Sequence, residues 1–160
     1  MAANSYMRVE NVVKKFGPFT ALDGVDLEVT PGEVHALLGD NGAGKSTLIK
    51  ILSGVHQPTS GSIYVDDKEV YFRNPRDAAA AGIGTVYQDL AINQLMSVTR
   101  NFFMGRELTS TFGVLRMDEM DKIAHEEMKK IGIDFTDPSQ AVGTMSGGQR
   151  QTLAIARAIY

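Results

Sequence analysis

Residues 39–46 read Gly-Asp-Asn-Gly-Ala-Gly-Lys-Ser, and this octet limits what the chain can become more than any other stretch. It fits the pattern G-x-x-x-x-G-K-[ST]. Gly supplies 16 of the 160 residues, and a chance match somewhere in a chain of this composition has a probability of about 0.01. Glycines let the backbone curl so that successive N–H groups converge on one anion. A helix starting at the end of the loop adds unpaired N–H donors and the positive end of its dipole. Lys45 brings a compact positive charge suited to β- and γ-phosphates, and the Ser46 hydroxyl suits Mg²⁺. The octet therefore reads as a cradle for the phosphates of a nucleotide. Gly39, Asp40, Asn41, Gly42, Ala43, Gly44, Lys45, Ser46 and Thr47 build it. The competing reading is a glycine-rich turn carrying a solvated lysine.

Such a loop belongs between a strand and a helix. Val34–Leu38 is a short, nearly continuous apolar run, expected to be a strand covered on both faces. Ser46–Leu52 has helical character and stops at Gly54. Upstream, Val25, Leu27 and Val29 alternate with Asp26 and Glu28, which predicts a half-buried strand over Gly24–Thr30, closed by a Pro31–Gly32 turn. Ser62–Val65 and Glu69–Phe72 flank Asp66-Asp67-Lys68 as a hairpin. Asn74 caps a helix that begins at Pro75, with Asp77 in its first turn and Gly82 at its end. Ile83–Tyr87 reads as another strand. Met120, Ile123, Ala124, Met128 and Ile131 recur at three- and four-residue steps, predicting an amphipathic helix over Asp118–Ile131 capped by Asp118. Strand then helix, repeated, indicates an α/β architecture.

Composition removes other classes. A formal net charge of −3 offers no positive field to draw nucleic acid, so no nucleic-acid partner is expected. The absence of Cys excludes disulfides, thiolate metal sites and a cysteine nucleophile. No apolar run approaches the ~18–20 residues of a membrane-spanning helix, and Met1–Glu10 has no signal-like apolar core. A chain compatible with the cytosol is expected. His35 is expected to be structural within the strand before the loop. His56 falls in a loop and His125 on the amphipathic helix, facing solvent. No His/Asp/Glu cluster suggests zinc.

A second anion site follows about a hundred residues later. Met145-Ser146-Gly147-Gly148-Gln149-Arg150-Gln151 precedes the helical run Thr152–Ile159. Ser146 is a natural N-cap, and Gly147 and Gly148 allow a phosphate close to the helix start. One chain needs a single γ-phosphate cradle, so the second is assigned to another subunit's nucleotide. Alone, the stretch would equally be an ordinary helix-entry loop.

With these motifs the chain resembles the ATP-binding subunit of an ABC transporter. Met145–Gln151 is similar to the family's Leu-Ser-Gly-Gly-Gln signature, with Met145 in place of Leu. Gln88 matches the Q-loop glutamine, which the resemblance gives contact with Mg²⁺ and the attacking water; otherwise it is a solvent-facing loop amide. Phe16 in Lys14-Lys15-Phe16-Gly17 matches the aromatic that stacks on adenine; otherwise it is a core aromatic, since a flat ring suits both. Leu52–Val70, Asn74–Asn93 and Phe102–Glu107 resemble the ATPases of bacterial ribose-, xylose- and fructose-type importers. Asp67 stands where that hairpin often has Gly, and Asp40 where Glu is frequent.

The resemblance implies a P-loop NTPase of ABC type with an antiparallel β subdomain and a helical subdomain, lacking the C-terminal part of the core. It implies one incomplete domain over 1–160: a nucleotide core with the β subdomain over about 1–88, a helical subdomain over about 89–150, and a return to the core over 151–160. ATP and Mg²⁺ are the implied cofactors, with Lys45 and Gln88 catalytic, Ser46 and Gln88 on the metal, and Ser146, Gly147, Gly148 and Gln149 facing the nucleotide of a second ATP-binding subunit, head to tail. Transmembrane permease subunits are implied partners, met through Leu90–Arg106, whose Phe102, Phe103 and Met104 equally suit a core. A periplasmic sugar-binding protein is implied indirectly, and the implied location is the cytoplasmic face of the inner membrane. The Walker B aspartate, catalytic glutamate and switch histidine are expected to lie beyond Tyr160, which makes this chain hydrolysis-incompetent. A non-transport ATPase of the same superfamily and an inert nucleotide-binding fragment are the alternatives.

Overall fold

The computed structural model describes residues 5–132 and 137–160. The chain divides into two compact units, residues 1–84 and 85–160.

The first unit is built on four antiparallel strands. They are β1 (Met7–Phe16), β2 (Phe19–Val29), β3 (Ser60–Val65) and β4 (Lys68–Val70), in the order β2-β1-β3-β4. The alternation around Val25, Leu27 and Val29 lies on β2 as its pattern predicts. β1 escapes a search for alternation because its buried residues Val9 and Val12 are three apart, not two. A bulge causes this: Asn11 takes φ 48°, its N–H donates to Asp26 Oδ1 at 2.7 Å, and the pairing with β2 slips between Val9 and Val12. One extra residue in a strand reverses the facing of everything beyond it. The β3–β4 hairpin is tighter than its sequence suggests. Lys68 already pairs with Val65, leaving a two-residue turn of Asp66 and Asp67 at φ 48° and 58°. Such turns need positive φ at both positions, and Asp tolerates it better than most residues. β4 ends at Val70, so Tyr71 and Phe72 lie outside the strand.

Two helices complete this unit. Helix α1 (Lys45–Leu52) buries Leu48, Ile51 and Leu52 against Val9, Val12, Leu22 and Ile63. It ends where Gly54 takes φ 73°, a position where a Cβ would stand 2.5 Å from the Asn74 carbonyl oxygen. Helix α2 (Pro75–Ala80) starts as its sequence predicts, with Asn74 Oδ1 accepting from the backbone N–H of Arg76 and Asp77.

Two predicted strands do not form. Val34–Leu38 forms no strand and pairs with none among the described residues, and Val34 is 97% and Leu38 88% exposed. Ile83–Tyr87 likewise joins no strand among the described residues. Apolar character and β-branching mark a segment that suits a sheet, but a strand exists only through hydrogen bonds to a neighbour. His35 is therefore on an exposed segment rather than inside a strand, with Nδ1 2.9 Å from Glu33 Oε1.

The second unit is helical: α3 (Val98–Phe102), α4 (Met117–Lys130), a 3₁₀ turn at Val142–Thr144, and α5 (Gly147–Ile159). Its core gathers Val98, Phe102, Phe103, Met120, Ala124, Met128, Val142, Met145 and Leu153. The amphipathic pattern of α4 is realised, but Asp118 is not its cap. The helix begins one residue earlier, at Met117, so Asp118 and Glu119 serve as first-turn acids facing the positive dipole end. His125 is half-buried rather than solvent-facing.

Candidate functional site

Gly39–Ala43 and Ser46 of the phosphate loop are exposed, and Gly44 and Lys45 half-buried. After Gly39 the chain turns at Asp40, whose carbonyl accepts the Ala43 N–H at 3.2 Å. Gly44 is the N-cap of α1, at φ 83°. A Cβ there would lie 2.6 Å from both the Ala21 carbonyl oxygen and Leu22 Cδ2. The loop thus packs against β2 only because this residue is glycine, in a backbone region that others enter at a cost. No side chain caps α1, and its first turn holds no acid. The first N–H groups of a helix have no partners within it, so an anion fits this end and no carboxylate competes for it. Lys45 Nζ donates to the carbonyls of Gly39 and Asp40, at 2.6 Å each, folding the cation over the loop. Ser46 is exposed in the same turn, and Thr47 half-buried. The donor set suits a polyphosphate with a hard cation: backbone N–H groups and one ammonium for the phosphates, one hydroxyl for the metal.

Phe16 ends β1 opposite Phe19 and is 43% exposed, outside the buried core. The His56 ring meets it in a T-shape at 5.4 Å, and Lys14 Nζ lies 5.0 Å from its centroid while donating to the Gln57 carbonyl at 2.7 Å. These contacts hold the ring yet leave it a solvent-facing surface. Phe16 and the phosphate loop belong to the first unit; Gln88 and the Ser146 helix start belong to the second.

Gln88 is exposed at a bend following the Ile83–Tyr87 stretch. The chain beyond it is pinned from within. Asn101 is fully buried on α3, accepts the Asn93 N–H through Oδ1, and donates through Nδ2 to the carbonyls of Asn93, Met96 and Ser97. A buried amide satisfied on every side fixes a loop more firmly than apolar contact does. Phe102 and Phe103 are fully buried, which assigns them to the core, while Met104 is 38% exposed. Asn101 carried no signal in the sequence, and neither did Arg157, whose guanidinium bonds the carbonyls of Leu90 and Ala91. Both act on segments distant along the chain or on backbone alone.

At the second helix start, Met145 is buried and anchors the loop. Ser146 Oγ accepts the Gln149 N–H at 3.3 Å, and Gln149 Oε1 accepts the Ser146 N–H at 2.9 Å, a reciprocal capping box. A Cβ added to Gly147 or Gly148 would meet nothing within 4 Å. Internal packing therefore gives no reason for two glycines here; they leave bare space at the mouth of α5.

Among the described residues, no group of three or more His, Asp or Glu side chains stands ready for a metal, and no helix is long and apolar enough to cross a membrane.

Residues 22–160 match the family described as ABC transporter. A xylose/arabinose import ATP-binding protein of Sulfolobus acidocaldarius is 45% identical over 154 residues, covering 96% of this chain and 61% of that protein. A ribose import ATP-binding protein of Geobacillus kaustophilus is 43% identical over 152 residues, covering 94% of this chain and 31% of that protein. The chain thus spans less than two thirds of the length of these curated relatives. Among solved structures, a nucleotide-free ATP-binding cassette from an ABC transporter superposes with a TM-score of 0.77 at 29% identity, over 97% of this chain and 64% of that one. The antiparallel sheet and helical unit are accordingly parts of an ABC-type ATP-binding cassette. The matched region takes in the phosphate loop, Gln88 and the Ser146 helix start together, and the chain belongs to the ABC transporter family.

Proposed function

We propose that the chain is the nucleotide-binding part of an ATP-binding subunit that drives sugar import. The observation that carries the reading is the start of α1: an N-terminus capped by Gly44, free of any capping side chain or acid, with Lys45 folded over the loop before it. Gly39–Thr47 hold the phosphates of ATP, Lys45 neutralises charge on the β- and γ-phosphates, and Ser46 and Gln88 hold Mg²⁺. When bound, Mg²⁺ supplies charge neutralisation on the phosphate oxygens. Phe16 offers its exposed surface to the base, and the held orientation of its ring favours stacking. Ser146, Gly147, Gly148 and Gln149 face the nucleotide of a second subunit, and the bare glycine surface at the mouth of α5 supports that role.

The sugar assignment leans on the import proteins that the chain resembles. Transmembrane permease subunits and, through them, a sugar-binding protein are the partners of this reading, at the cytoplasmic face of the inner membrane. In this proposal residues 1–160 are part of one cassette. By itself the 160-residue chain binds Mg-ATP and turns it over negligibly.

Titration calorimetry of the chain with Mg-ATP tests the reading. Lys45→Ala is expected to weaken binding by about tenfold or more, the loss of one charge-assisted contact. Equal affinity in the two chains would overturn the phosphate assignment. Sustained ATP turnover by the unaltered chain, abolished by Lys45→Ala, would overturn the binding-only part.

A further inference from the structure

The guanidinium of Arg157, in the last turn of α5, reaches the loop that follows Gln88. Nη1 donates to the Ala91 carbonyl at 3.2 Å and Nη2 to the Leu90 carbonyl at 2.9 Å, across 66 and 67 residues of sequence. The grip falls on strained backbone, for Ala91 takes φ 48° without being glycine. Its N–H in turn donates to Asp89 Oδ1 at 3.3 Å, which closes a turn directly after Gln88. Arg157 is half-buried, and burial first, then the nearby Arg106, pulls its pKa below the ordinary arginine value. A desolvated guanidinium directed at two successive carbonyls is a costly arrangement for tying down an ordinary surface loop. Backbone held in a sparsely populated region by an outside contact is a recurrent feature of functional loops.

We propose that Arg157 is a positioning residue for Gln88: its fork clamps the Leu90–Ala91 turn and thereby sets where the glutamine side chain emerges. The helix that supplies the clamp is the one that opens at Ser146, so α5 links the second phosphate-facing loop to the bend at Gln88 through about three turns of rigid helix. A planar fork can bond two successive carbonyls at once; an ammonium cannot hold both in the same fixed geometry. The inference rests on the reading of Gln88 as a metal-side residue.

The test is the affinity of the full 160-residue chain for ATP, measured with Mg²⁺ and again in EDTA, in four versions: unaltered, Gln88→Ala, Arg157→Lys, and the double variant. Circular dichroism melts accompany each, and Arg157→Gln replaces Arg157→Lys if the lysine chain does not fold. Binding in EDTA is expected to be equal in all four. The gain from Mg²⁺ is expected to fall about threefold or more in each single variant and no further in the double, because residues acting through one another do not add. Loss of stability alone would not produce that non-additivity. An undiminished gain in Arg157→Lys beside a lost gain in Gln88→Ala overturns the clamp while sparing the reading of Gln88. Additive losses overturn it equally. An undiminished gain in Gln88→Ala overturns the reading of Gln88, and the inference with it.

Discussion

The phosphate loop and the Ser146 loop each end at a helix N-terminus, and they are finished in opposite ways. At α5 the end is closed on itself: Ser146 and Gln149 cap each other, Met145 is buried beneath, and a core of aromatic and methionine side chains stands behind. At α1 the end is open. Gly44 brings no side chain to cap it, and the approach through Val34–Leu38 is an exposed apolar segment. A self-capped helix start keeps its shape without a ligand and offers surface. An uncapped one offers donors. The α1 end thus offers free N–H donors, and the α5 end a preformed surface bare of side chains at Gly147 and Gly148.

The strongest way to break this contrast is to remove the support behind the second loop. Phe102→Ala deletes a fully buried ring and is expected to cost about 3–5 kcal/mol. Hydrogen exchange should then rise across α3, α4 and α5; unchanged protection there would mean that the closed end does not depend on its core. Gly44→Ala attacks the open end. Its added methyl meets the Ala21 carbonyl at 2.6 Å in a left-handed backbone position, and backbone strain alone is expected to cost about 1–3 kcal/mol. Urea melts and Mg-ATP titration should both register the change, and an alanine chain that binds normally would contradict the close packing of loop on strand. Ser146→Ala asks whether the closed end really caps itself. A loss of about 1 kcal/mol in thermal stability is expected, while Ser146→Asp, able to accept the same N–H, should restore most of it.

The smallest effect comes from acid. Glu33, just before the apolar segment, is held to about 2 from an ordinary 4.5, chiefly by the Thr30 backbone N–H and then by His35 and the Thr30 hydroxyl. A carboxyl with a depressed folded-state pKa stabilises fully above its unfolded value and loses that contribution as pH falls through the folded one. The difference in melting temperature between the unaltered chain and Glu33→Gln should therefore shrink between pH 4.5 and pH 2. A difference that stays constant over that range would show that the pairing seen here contributes nothing, and for so exposed a group the effect is small in any case.

Parts of this were readable residue by residue. Asn74-Pro75 announces α2, because a cap and an N1 proline act within one turn. Ser146 as an N-cap announces α5 for the same reason, although the helix runs from Gly147 and so takes in residues 147–151 ahead of the run Thr152–Ile159. The 3.6-residue recurrence on α4 is local too, although the helix starts one residue before the sequence suggested. β1 was hidden because the Asn11 bulge breaks the period that a reader looks for. Asn101 and Arg157 were hidden because they act on backbone carbonyls, which are the same for every residue type and leave no trace in the sequence they bind.

By itself, then, the sequence determined everything that depends on neighbours a few bonds away: the phosphate loop's glycines and lysine, the caps, the helical stripes and the family likeness that those motifs carry. Tertiary structure decided what depends on a partner. Val34–Leu38 has the composition of a buried strand and yet is exposed and joins no strand among the described residues. Propensity describes the chain alone, whereas a strand's hydrogen bonds and covered faces are supplied by segments elsewhere. The same holds for the turn after Gln88, whose strained backbone is clamped by an arginine 66 residues away.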